Sequence, residues 1–147
     1  VHLDSPVLAK LEGIMPRLMP LLAPIYIPRV PRDLLNEVSV PHWMTTRPKW
    51  IGMSVEEFER KNPPQGAWDK AEGVIHEVTE MLKENGEGPF FLGKEVSYAD
   101  FVWGGFLIFL RRIGEDVLEE GLRRSGGREV HEALLRGLEP WTKRCDY

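Results

Sequence analysis

The sequence predicts an all-α fold, a bundle of about five or six helices, on three observations. Apolar residues recur at steps of three and four along most of the chain, the period of a helix with one buried face. Two Ser-x-x-acid signatures, Ser54 to Glu57 and Ser97 to Asp100, mark helix starts. No alternating run of strand length occurs, and no segment repeats another.

The first helix opens at Asp4-Ser5-Pro6, with Ser5 as N-cap and proline tolerated at the first helical position. Val7, Leu11, Ile14, Leu18 and Leu21 form its stripe, widened by Leu8, Met15 and Leu22. Pro16, Pro20, Pro24 and Pro28 then recur every four residues. Each removes a donor and crowds the carbonyl four residues back, so the helix is expected to break or kink beyond Met15. Residues 29 to 53 carry the weakest pattern: a short helix around Pro31 to Glu37, then Trp43 and Trp50 in an irregular stretch. Ser54-Val55-Glu56-Glu57 opens a short helix that Asn62-Pro63-Pro64 stops.

The clearest amphipathic helix follows. Trp68, Ala71, Ile75, Val78 and Leu82 share one face, with Val74 and Met81 beside them, and charged residues take the other faces. Asn85-Gly86 is its expected stop, since both residues tolerate a left-handed conformation. Phe101 to Leu110 is an apolar run closed by Arg111-Arg112. A membrane span needs about twenty such residues, so this is a buried helix. Val96, Ser97, Asp100 and Phe101 define its start. Ser97 is the N-cap, Asp100 reaches back to its amide, and Val96 and Phe101 form a hydrophobic staple. Asp100 is therefore a cap rather than a catalytic acid. Gly104-Gly105 inside this helix implies close approach of another helix. Glu115 to Arg124 forms the next helix, Ser125-Gly126-Gly127 a turn, and Val130, Leu134, Leu138 and Trp141 mark the last.

The 147 residues form one domain, 1–147, with 19 lysines and arginines against 23 aspartates and glutamates. A net charge of −4 argues against nucleic-acid binding. The basic pairs Arg111-Arg112, Arg123-Arg124 and Lys143-Arg144 suit helix C-termini instead. The single cysteine, Cys145, excludes an internal disulfide and points to a cytoplasmic protein. The opening VHLDSPVLAK is neither a signal nor a transit peptide, and it lacks an initiator methionine. The chain is expected to begin inside a longer polypeptide.

Chemical motifs are few. Gly88 to Lys94 fits G-x-x-x-x-G-K, but Glu95 replaces the magnesium-binding hydroxyl and a helix precedes the loop, so phosphate binding is rejected. His2, His42, His76 and His131 lack ligand spacing, so no metal is expected. Glu56, Glu57 and Glu59 are helix-face charges, and no nucleophile–base constellation is readable.

The segment GPFFLGKEVSYADFVWGGFLIFLRR resembles the core of the C-terminal domain of glutathione S-transferases. A Leu-Gly turn at Leu92-Gly93 precedes the capping box and staple, and the domain's central helix follows. Arg47-Pro48-Lys49-Trp50 resembles fungal members. The resemblance implies a preceding thioredoxin-like domain, absent from these 147 residues, that binds glutathione and activates its thiol. No catalytic residue carries over. What it implies for this chain is one wall of a pocket for a hydrophobic small molecule, built from Leu11, Met15, Leu18, Met19 and Leu22, with Trp103 and Phe106 on another. It also implies a homodimer, and it offers Arg17 as a contact for a glutathione carboxylate. Joined to its missing half, the domain would conjugate glutathione to electrophiles or cleave ether-type substrates. The alternative is a non-catalytic carrier of apolar ligands or a protein-assembly module.

Overall fold

The computed structural model describes residues 5–84 and 87–142, which form eight helices and no strand. The chain is all-α, with more helices than the five or six expected. Asn85-Gly86, Lys143-Arg144, Cys145 and His2 lie outside the described residues.

α1 (Pro6–Leu21) starts as its residues dictate, the Ser5 hydroxyl accepting from the Val7 and Leu8 amides at 3.0 and 3.3 Å. It does not break near Met15. Pro16 and Pro20 lie inside the helix, and both are exposed. The carbonyls they leave unbonded belong to Glu12 and Pro16, on the same exposed side. Water can satisfy those carbonyls, while the buried stripe of Leu8, Leu11, Ile14 and Leu18 carries the helix onward. The break falls at Leu22, and α2 (Ala23–Asp33) follows with Pro24 in its first turn.

Two expectations for the next stretch fail. The helix over Pro31 to Glu37 does not form, because α2 stops at Asp33. Trp43 and Trp50 are not in irregular chain; they lie on α3 (Val40–Ile51). The Asn36 side chain accepts from the Ser39 amide at 3.0 Å, turning the chain into this helix. Pro41 sits in its first turn, where a missing amide costs nothing. Gly52 ends it with a φ of 77°, a conformation glycine adopts without strain. Pro24 and Pro41 thus mark helix starts, while Pro28, Pro31 and Pro48 lie inside helices without breaking them.

α4 (Val55–Lys61) begins where the Ser54 hydroxyl accepts from the Glu57 amide at 3.2 Å. The Glu57 carboxylate pairs with Lys61 at 2.9 Å. α5 (Pro64–Lys83), α6 (Tyr98–Ile113), α7 (Glu115–Arg124) and α8 (Arg128–Thr142) follow in the expected order.

α5 and α6 are each packed by the same four helices, α1, α2, α7 and α8. Their stripes close one continuous core that includes Leu11, Leu18, Trp68, Val78, Trp103, Leu134 and Leu138. Gly104 admits α8: a Cβ there would run into Leu138. Gly105 faces open space, so only the first glycine of the pair serves close packing. α3 and α4 touch only each other and α2, which leaves them at the edge of the bundle. Among the described residues, no helix is long and apolar enough to cross a membrane.

Candidate functional site

The polar groups at the start of α6 are buried and paired. Asp100 Oδ2 accepts from the Ser97 amide at 2.7 Å and the Ser97 hydroxyl at 3.0 Å. Its Oδ1 accepts from the Phe91 amide at 2.8 Å, so the carboxylate also ties the preceding turn to the helix. Burial pushes the Asp100 carboxyl above its usual range, against the pull of those donors. Phe101 packs its ring edge-to-face against Trp141, centroids 5.8 Å apart, and Val96 is half-buried against the core.

A second buried network lies one turn further on. The Trp103 indole N–H donates to His131 Nδ1 at 3.0 Å. An indole nitrogen only donates, so the imidazole proton resides on Nε2. That proton faces Thr79 Oγ1 at 2.7 Å, and the threonine hydroxyl donates to the Ser125 carbonyl at 2.8 Å. Burial pushes His131 down to about 4, keeping it neutral. Sequence reading missed this network.

The apolar residues expected to line a pocket divide by depth. Leu11, Leu18, Leu22 and Trp103 are fully buried in the core, and Phe106 is nearly so. Met15 and Met19 are half-buried at its margin. Arg17 is exposed and forks onto Glu77 of α5 at 2.8 and 3.2 Å. Two residues of helix turn through roughly 200°, so Met15 and Met19 lie on the flank of α1 turned away from Arg17 and α5.

One cluster shows an unusual electrostatic arrangement. Trp43, Arg47 and Trp50 share a face of α3, and the guanidinium carbon lies 3.8 Å from one ring centroid and 4.1 Å from the other. The Trp43 indole is fixed by donating to the Ile27 carbonyl at 3.0 Å. Tyr26 of α2 meets Phe109 of α6 edge-to-face, centroids 6.0 Å apart, linking this cluster to the bundle. Burial raises the Tyr26 phenol while the Arg47 charge draws it back, which places the two within electrostatic reach. The spacing i, i+4, i+7 of Trp43, Arg47 and Trp50 was the available signal, hidden by the surrounding prolines. A separate cleft of about 420 Å³ beside Trp68 is rimmed by Arg29, Asp116, Glu120 and Arg124, whose charges satisfy one another.

Among the described residues, no three His, Cys, Asp or Glu side chains gather to hold a metal ion. His76 bonds the Arg124 carbonyl at 2.8 Å.

The family model of the glutathione S-transferase C-terminal domain matches residues 11–129, most of the chain. The chain belongs to this family. The match spans the described bundle from the first stripe of α1 into the start of α8. No curated protein and no solved structure gives a significant match.

Proposed function

We propose that the chain is the substrate-shaping and dimerisation half of a cytosolic glutathione transferase-like enzyme. With a thioredoxin-like domain holding glutathione, it conjugates the thiol to hydrophobic electrophiles or cleaves ether-type substrates. The family match over residues 11–129 carries this reading. The half-buried flank of α1 supports it: Met15 and Met19 offer an adaptable apolar wall. The fully buried Leu11, Leu18, Leu22 and Trp103, with Phe106, back that wall from the core. Glu77 already matches the charge of Arg17, so a glutathione carboxylate at Arg17 must compete with that pair.

Thiol consumption by the native protein, given glutathione and a chloronitroarene, tests the proposal. Turnover by the native protein and none by residues 1–147 alone is the expected pair of results. Saturable binding of an apolar dye by a native protein with no turnover would favour the carrier reading.

A further inference from the structure

Arg47 differs from the other partly buried arginines. Arg29, Arg124 and Arg128 each hold a carboxylate: Asp116 at 2.8 Å, Asp69 at 2.6 Å and Glu119 at 2.7 Å. Arg47 holds none among the described residues. Its Nη1 donates to Thr46 Oγ1 at 3.0 Å, its Nε is buried with no partner, and its Nη2 makes no hydrogen bond to the described residues. A ring face that meets a guanidinium by a cation–π contact does not accept its in-plane N–H bonds. Leaving a buried charged donor unmatched is costly.

Nε and Nη2 share one edge of the planar group, the edge that receives two carboxylate oxygens side by side. The flat apolar surfaces of Trp43 and Trp50 lie against the same guanidinium. Trp50 is 72% exposed, so it can rotate aside without opening the core. A charged fork between indoles selects a ligand that is anionic at one end and flat beyond it.

We infer that the Trp43–Arg47–Trp50 face of α3 is a binding site for a small planar aromatic carboxylate. The carboxylate takes the Nε–Nη2 edge, and Trp50 turns aside to admit the ring.

Calorimetric titration of the full-length native protein with 1-naphthoate and with neutral 1-naphthalenemethanol tests this. Naphthoate should bind at least about tenfold more tightly than the alcohol, as a forked charged pair requires. Arg47→Met should abolish that preference and leave affinity for the alcohol within about twofold. Equal naphthoate affinity in the wild type and a folded Arg47→Met overturns the site. So does an absence of naphthoate binding to the native protein, as when another segment already fills the fork. If Arg47→Met does not fold, Arg47→Lys carries the test. A point charge without the fork should lose about threefold or more, and full retention overturns the site. Binding is read without turnover. A protein that holds naphthoate through Arg47 yet consumes no glutathione would keep this site and remove the transferase reading.

Discussion

The start of α6 and the outer face of α3 both set polar groups against aromatic rings, and they treat them in opposite ways. At α6 the buried polar side chains and the amides of the preceding turn are paired: Phe91 and Ser97 on Asp100, Trp103 on His131, Thr79 on Ser125. At α3 a guanidinium lies against two indoles with its buried Nε unmatched. The first arrangement is closed and leaves nothing for a ligand to add. The second is a donor set in search of an acceptor. Asp100 drew attention in the sequence as an acid before an apolar run, yet the residue with free binding capacity is Arg47.

The largest expected effect separates the two regions by stability. Asp100→Ala strands the buried Phe91 and Ser97 amides, and should cost about 3 kcal/mol in urea denaturation. A loss below about 1 kcal/mol would mean that water or backbone shifts replace the carboxylate, and the contrast would collapse.

His131 sharpens the contrast through pH. Its folded value of about 4 lies below the ordinary 6.5, so the unfolded chain binds the proton more readily. Stability is therefore full above about 6.5 and falls by up to about 3 kcal/mol as pH drops toward 4. Asp116, held below its usual range by Arg29, titrates in the same direction. His131→Gln isolates the histidine share. Its denaturation midpoint should fall less between pH 7 and pH 4 than the wild type's, as linkage requires. An identical fall in both proteins would deny the neutral buried imidazole.

Smaller effects belong to the surface. Trp50→Ala should change stability by no more than about 0.5 kcal/mol, since its ring is mostly exposed. A larger loss would make the α3 face a structural element like the α6 start. Arg17→Ala should leave both the denaturation midpoint and the KM for glutathione unchanged, because solvent screens its pair with Glu77. A raised KM would identify Arg17 as a glutathione contact.

The sequence was most legible where a regular stripe coincided with a cap. α5 to α8 carry apolar steps of three and four and bounded ends, so their order could be read directly. The stretch from Pro16 to Trp50 was misread because proline has two opposite meanings. Pro24 and Pro41 open helices, whereas Pro16 and Pro20 sit on an exposed face where water can take the lost bonds. The Thr79–His131–Trp103 network joins residues far apart in the chain, and no local pattern announces such a bond. Met15 is legible beside the α1 stripe and Met19 only through the family resemblance, and the half-burial of both depends on which helices pack beside them.

The most direct test of the whole account is the intact mass and N-terminal sequence of the protein from its native source. The account predicts a segment of roughly 80 to 100 residues ahead of Val1, the size of a small domain able to hold glutathione. A native chain beginning at Val1 would contradict it, leaving a helical domain that binds ligands without a transferase partner in the same polypeptide.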